Sequence, residues 1–326
     1  AAREHFRALS AADPQHAVWR EMFACSHTVE ASYLLNNGQF AEARQMFATA
    51  KATCVAIPAS HSWANPMLLP WRFIDEGRAA ASAGDFAAAR AMVEPARNEF
   101  ARVIARRSPG SASRTRGEIG AWLAEATLLA SAEDWGAVEA RAREAAAAAD
   151  AYAAQHRLAR TPLLDRGEAR RLLGLAQLRQ GRPADAVATL REACALLGAA
   201  LPVMHPFSSR ELRLADAQDA LGETLLTLGQ GAEAREVLEA ALAFREDDLA
   251  RQPELAATQA AFARTTELLA RTLYPGDDDK ARGRQTLLAR AAAALAQPAA
   301  EGRLTLDQQR LFAALADARL EAPAHP

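Results

Sequence analysis

A short turn motif returns along this chain with a nearly constant step. Its copies are Leu35-Asn-Asn-Gly38-Gln-Phe40-Ala-Glu-Ala43, Ser82-Ala-Gly84-Asp-Phe86-Ala-Ala-Ala89, Ala132-Glu133-Asp-Trp135-Gly-Ala-Val138, Arg179-Gln-Gly181-Arg-Pro183-Ala-Asp-Ala186 and Thr227-Leu-Gly229-Gln-Gly231-Ala-Glu-Ala234. A degenerate sixth sits at Tyr274-Pro-Gly276-Asp-Asp-Asp-Lys-Ala281. The turn position falls at 38, 84, 133, 181, 229 and 276, so the steps are 46, 49, 48, 48 and 47 residues. A beat that regular restricts the fold to a stacked solenoid, whose repeats pack only on their neighbours. The core then grows in one dimension, and 326 residues need no second globular core.

The stretches on both sides of each turn read as helix. Half of the chain is hydrophobic but only 6% is aromatic, so the apolar half is mostly Ala and Leu, strong helix formers. The spacing predicts helices from Trp19 to Asn36 and Phe40 to Val55, Leu163 to Gln180 and Ala184 to Leu197, and Ser208 to Leu228 and Ala232 to Leu249. Gly suits the left-handed position that ends the first helix of each pair. Breakers then fall where the second helix should stop, at Pro58 and Pro66, Pro109, Pro162, Pro202 and Pro206, Pro253 and Pro298. Antiparallel helix hairpins follow.

Projected backwards, the ruler makes Ala2 to Leu9 the tail of a second helix stopped by Ala11-Ala-Asp-Pro14, as if the chain were excised from a longer polypeptide. At the other end, Thr305 to Leu320 forms a capping helix with Leu306, Leu311, Phe312, Leu315 and Leu320 at helical spacing, and Glu321 to Pro326 frays. The expected organisation is a single domain over 1–326: a remnant helix in 1–18, six hairpins in 19–302, and a cap with its tail in 303–326. The fold class is all-α, a right-handed α-solenoid.

A finer grammar runs inside the copies. A small residue precedes the turn Gly by seven positions, as in Gly77 and Gly84, Gly174 and Gly181, Gly222 and Gly229, and Ala31 with Gly38. Five residues past the turn stand Ala43, Ala89, Ala186 and Ala234; four later Phe47, Val93, Leu190 and Leu238; three later Ala50, Ala96, Ala193 and Ala241. Small residues let helix axes approach, and the bulky one fills the groove between them. This spacing resembles the tetratricopeptide repeat, from about Trp19 to about Leu295. The usual period of that family is ~34 residues, so each helix here would be longer by up to ~7 residues, or ~10 Å. Extended repeats of this kind resemble the tails of bacterial signalling proteins that follow a kinase, cyclase or DNA-binding domain.

The resemblance implies that the first helix of each pair lines a concave groove for a protein or peptide segment. The positions it points to are Thr28, Ser32 and Asn36, then Trp71, Ile74 and Arg78, then Thr127 and Ser131. Arg171, Leu175 and Arg179 follow, and then Asp219, Glu223 and Leu226. Trp71, Arg78, Thr127, Arg171, Leu175, Arg179, Asp219 and Glu223 are the candidate partner-binding set. Some members of the family clamp a terminal carboxylate with Lys and Asn. Here the only lysines are Lys51 and Lys280, off the groove, and that clamp is not expected. Arg171 and Asp219 occupy equivalent places and read first as an ion pair between repeats, worth ~0–1 kcal/mol, with a patch that orients a zwitterionic segment as the alternative. Arg114, Arg116, Arg166, Arg170, Arg210 and Arg213 are either solvated faces or a stripe for an acidic or phosphorylated partner. The joint Ser60-His61-Ser62-Trp63-Ala64-Asn65-Pro66, with Trp71, either plugs the first inter-repeat gap or forms a binding patch.

Chemistry has little foothold. The seven histidines are scattered, no His-Glu-x-x-His or Cys-x-x-Cys occurs, and Asp277-Asp278-Asp279 lacks the alternation of a calcium loop. Cys25 and Cys54 fall on the two helices of one repeat and read as buried thiols. A net charge of −2 calls for neither nucleic acid nor an anionic membrane, no run of 18 apolar residues occurs, and no signal peptide is evident. The expectation is a protein without catalysis or cofactor: a binding scaffold or sensory module of a larger bacterial regulator. A homodimerisation module is the alternative, and an enzyme with its catalysis in another domain a third. Cytoplasm is the expected compartment, with a periplasmic tail of a membrane-anchored regulator as the other.

Overall fold

The computed structural model describes residues 2–57, 68–156, 161–201, 210–273 and 278–320. Fifteen helices and no strand occur among them. The chain packs as two compact units, residues 1–134 and 135–326.

The first unit holds α1 (Ala2–Ala12), α2 (Ala17–Asn36), α3 (Phe40–Val55), α4 (Leu68–Ser82), α5 (Phe86–Ala91), α6 (Val93–Ala105) and α7 (Ala112–Ser131). The second holds α8 (Trp135–Gln155), α9 (Thr161–Arg179), α10 (Pro183–Ala200), α11 (Arg210–Thr227), α12 (Gly231–Arg251), α13 (Ala256–Arg271), α14 (Asp278–Ala300) and α15 (Leu306–Leu320). Packing is sequential in both: α2 with α3 and α3 with α4 in the first, α9 with α10, α10 with α11 and α11 with α12 in the second. First helices of successive pairs also touch, α4 with α7, α9 with α11 and α11 with α13. This is the helical-hairpin solenoid that the turn spacing predicts.

The turns explain the hairpins. Gly38, Gly84, Gly181 and Gly229 take φ of 78, 84, 75 and 74°, a region that costs a side chain energy and glycine nothing. The amide after each glycine reaches back five residues: Gln39 to the Leu34 carbonyl, Asp85 to Ala80, Arg182 to Gln177 and Gln230 to Leu225, at 2.8–2.9 Å. That bond satisfies an orphan carbonyl at the helix end. The third copy keeps the geometry without the glycine: Asp134 N donates to the Leu129 carbonyl at 3.0 Å, and Glu133 carries φ 58°. The degenerate turn at 274–277 lies outside the described residues, as do the Trp63 joint and the tail after Leu320.

The small-and-bulky grammar forms the core. Ala43, Phe47 and Ala50, Ala186, Leu190 and Ala193, and Ala234, Leu238 and Ala241 are all buried, as are Ala89, Val93 and Ala96. A side chain on Gly174 would lie 2.5 Å from Leu190 Cγ, and one on Gly222 2.5 Å from Leu238 Cγ, so both bulky residues occupy room left by a missing methyl. At the C-terminal end Leu315, with Leu311 and Phe312, packs on Ala291, Leu295 and Leu304 of the last hairpin, and α15 acts as the cap.

One breaker acts differently from the sequence reading, and one helix breaks at a proline that the spacing did not mark. Pro298 lies inside α14, which runs on to Ala300 and ends at Gly302 (φ 67°) by the same turn geometry, with Arg303 N on the Pro298 carbonyl at 2.8 Å. The second helix of the second pair is split at Met92 into α5 and α6. Pro95 has no N–H for the Ala91 carbonyl, which explains the break.

Two substitutions test this reading in opposite directions. Gly222→Ala forces a methyl onto a buried Leu and should cost ~1–3 kcal/mol. Glu133→Gly relieves a left-handed residue and should stabilise by roughly 1 kcal/mol. Urea-unfolding midpoints, with Gly198→Ala in open space as the control, check both; an unchanged midpoint for Gly222→Ala contradicts the packing.

Candidate functional site

The first helices of the second unit present their charged residues in register. With a step of 48, Glu168 of α9 corresponds to Asp216 of α11 and Arg264 of α13. Arg171 likewise corresponds to Asp219 and Glu267, and Leu175 to Glu223 and Arg271. Residues three or four apart share a helix face, so these positions form a grid three helices wide. Arg179, one turn beyond Leu175, continues it.

Ion pairs knit the grid across repeats. Arg179 grips Glu223 with two parallel bonds, Nη1 to Oε1 at 2.8 Å and Nη2 to Oε2 at 3.2 Å. Arg264 Nη2 lies 3.0 Å from the same Glu223 carboxylate, and its Nη1 donates to Glu267 at 3.0 Å. Arg271 follows, its Nε 3.9 Å from Glu267. A zigzag of alternating charge therefore links α9, α11 and α13.

Arg171 and Asp219 do not pair as expected. Arg171 donates to both oxygens of Glu168, on its own helix, at 3.0 and 2.7 Å. Asp219 is held from behind by buried Arg245 of α12 at 2.8 Å and from the side by the Thr265 hydroxyl of α13 at 2.7 Å. The same Arg245 Nη2 donates to Asp216 at 2.6 Å. Leu175 rests on the cluster of Leu190, Leu221 and Leu225.

Burial and attraction compete at each carboxylate. At Glu223 burial raises the pKa, but Arg179 and Arg264 outweigh it and hold the group below its ordinary value. At Glu168 burial is again outweighed, by Arg171. At Glu267 and Asp219 burial wins: both stay above the ordinary value despite Arg264 and Arg271 at one and Arg245 at the other.

The first unit is arranged otherwise. Trp71 packs edge-on against Phe100 of α6, ring centroids 5.8 Å apart, and remains 38% exposed. Ile74 belongs to the core at 1% exposure and not to an open face. Thr127 donates its hydroxyl to the Leu123 carbonyl at 2.8 Å. Arg78 is exposed and acts on Asp75 through its charge alone. Burial nevertheless keeps Asp75 above its ordinary pKa, although buried Arg72 donates to it at 3.1 Å and also to Thr28 of α2. Burial also pushes Cys54 up to about 11 and raises Cys25, which makes both poor nucleophiles.

Three of the six arginines in the wider set are spent locally. Arg114 pairs with Glu118 at 3.1 Å; Arg166 and Arg170 share Asp150 at 2.6 and 2.7 Å, and Arg170 also meets Glu192 at 2.6 Å. The Arg210 side chain lies outside the described residues. Among the described residues no three potential ligands gather for a metal ion, and no helix is long and apolar enough to cross a membrane.

No family model and no curated protein matches this sequence. Solved structures do. Aspartyl phosphate phosphatase F from Bacillus subtilis is 11% identical with a TM-score of 0.56, over 97% of this chain and 74% of that one. The Rap conjugation gene regulator of plasmid pLS20, in complex with the Phr* peptide, is 15% identical with a TM-score of 0.54, over 94% and 75%. The apo form of RapI is 9% identical with a TM-score of 0.51, over 98% and 80%. This is a tetratricopeptide-type fold. Identities so low speak for the fold alone, and the repeat grammar above is what this chain adds to it. The tetratricopeptide spacing marked Arg171, Arg179, Asp219 and Glu223, but Glu168, Asp216, Arg264, Glu267 and Arg271 were missed. Carrying the same 48-residue ruler onto α13 would have found the last three; Arg245, on a second helix, had no such signal.

The opposed pKa directions predict a pH test. Glu223 contributes stability above pH 4.5 that is lost as pH falls through its depressed value. Glu267, with a raised value, opposes folding at neutral pH and ceases to do so once protonated. Glu223→Gln should therefore destabilise at pH 7 by on the order of 1 kcal/mol, discounted for its half-exposed partners, whereas Glu267→Gln should be neutral or stabilising. The Glu223 difference should shrink as pH falls below 4.5, whereas the Glu267 difference should shrink earlier, as pH falls through its raised value towards 4.5. Urea midpoints across that range check the signs.

Proposed function

We propose that this chain is a non-catalytic binding module that takes up a protein or peptide segment along the first helices α9, α11 and α13. The observation that carries the reading is the grid itself. The first helices of three successive hairpins bury their apolar sides and offer one continuous periodic array of paired charges. Such an array gives register and orientation to a docked segment, while apolar contacts supply energy. The similar fold of the pLS20 regulator, whose structure holds the Phr* peptide, supports the same use of the fold. The module would serve the recognition part of a larger bacterial regulator, such as a kinase, cyclase or transcription factor.

Self-association is the second reading, and α2 favours it. Val29 and Tyr33, one turn apart, are 72% and 51% exposed, and Val18 on the same helix is 37% exposed. Exposed apolar side chains so grouped suit a protein interface.

Random-peptide display against the purified chain separates the two. Enriched peptides carrying a photoactivatable residue should cross-link to α9, α11 or α13. Cross-links confined to other helices, or no enrichment above background, overturn the groove reading. Sedimentation shows whether the chain dimerises, and loss of a dimer in a Val29→Glu, Tyr33→Glu variant would move the function to α2.

A further inference from the structure

We propose that the segment bound by this face is acidic, read at two points by Arg213 and Arg271 through the carboxylates of its side chains. The inference rests on the binding reading above and deepens it.

The pairing on the face is unequal. Glu168, Asp216, Asp219, Glu223 and Glu267 each lie within 2.6–3.0 Å of an arginine nitrogen. Each carboxylate is engaged within the fold, although burial still holds Asp219 and Glu267 above their ordinary pKa. Two guanidinium groups are not used up in this way. Among the described residues Arg271 meets a carboxylate only through Nε, at 3.9 Å, beyond hydrogen-bond reach, and is 43% exposed. Arg213 is half-buried and feels Glu168 through its charge, without an ion-pair contact among the described residues. The capacity left open on the face is therefore for acceptors of negative charge. A basic segment would meet carboxylates already engaged and two uncompensated arginines; an acidic one completes the array.

The face also shows the bonding that such a carboxylate would make. Arg179 holds Glu223 by two parallel bonds from its planar fork, half-exposed as Arg271 is. A glutamate or aspartate of a docked segment fits Arg271 in the same way.

Register sets the spacing of the two anchors. Arg213 shares a face with Asp216 three residues on, and Arg271 repeats the position of Glu223 one helix further. The ten residues from 213 to 223 rise ~15 Å, and the step to the neighbouring helix adds ~10 Å sideways. The anchors are thus ~18 Å apart, which an extended chain spans in about five or six residues.

An array of amidated nonapeptides tests this, each with two glutamates one to seven residues apart in an alanine and leucine background, beside glutamine and lysine counterparts. Binding to the purified chain should peak for glutamates five or six residues apart and vanish for the glutamine and lysine sets. Arg271→Gln and Arg213→Gln should each weaken the best peptide by about tenfold, as loss of one charge-assisted contact does. Arg235→Gln, on a second helix, should leave it unchanged, and circular dichroism should show all three variants folded. Binding that ignores glutamate, that is indifferent to both variants, or that requires a free C-terminal carboxylate overturns the two-point reading while the binding module stands. Absence of binding to every peptide, whatever its charge, counts against the binding module itself.

Discussion

The close crossing of two helices at a glycine sets everything else in this structure. Gly174 and Gly222 stand where a methyl would strike the branch point of Leu190 and Leu238. The missing side chains let each first helix settle onto its own second helix, and the leucine locks the distance. Because the contact recurs, successive hairpins of the second unit repeat one packing. Side chains 48 residues apart then fall in line, and charges that are remote in sequence become neighbours. The charged grid is a consequence of that packing.

The packing was legible because it leaves a mark at every copy. A small residue, a left-handed glycine and a bulky residue in fixed order cannot be met by many folds, and residues such as Ala186, Leu190 and Ala193 were found buried where the spacing put them. The departures have local causes that a period cannot carry. Glu133 stands in a left-handed turn without glycine, and Pro95 removes one amide and splits a helix. Pro298 sits in a helix that its presence was expected to end.

The site was half legible for a different reason. Register tells which residues share a face, so Arg171, Arg179, Asp219 and Glu223 could be named. It does not tell which partner each selects. Arg171 finds Glu168 one turn earlier, and Asp219 is claimed by Arg245, which comes from the second-helix layer and has no counterpart in the first-helix pattern. Choice among nearby opposite charges is settled by side-chain reach and burial, and neither is periodic.

The two glutamates that share Arg264 show how fine that settlement is. Glu223 has Arg179 at 2.8 Å and Arg264 at 3.0 Å, and attraction outweighs burial. Glu267 has Arg264 at 3.0 Å but Arg271 only at 3.9 Å, and burial outweighs attraction. Their side chains are equally covered, each 17% exposed, so the neighbouring charges decide the sign: Glu267 has the more distant second arginine and also feels repulsion from Glu223. A carboxylate is held down when two guanidinium groups close on it and left proton-seeking when one stands off. The arginine that stands off is Arg271, at the edge of the grid and about two-fifths exposed.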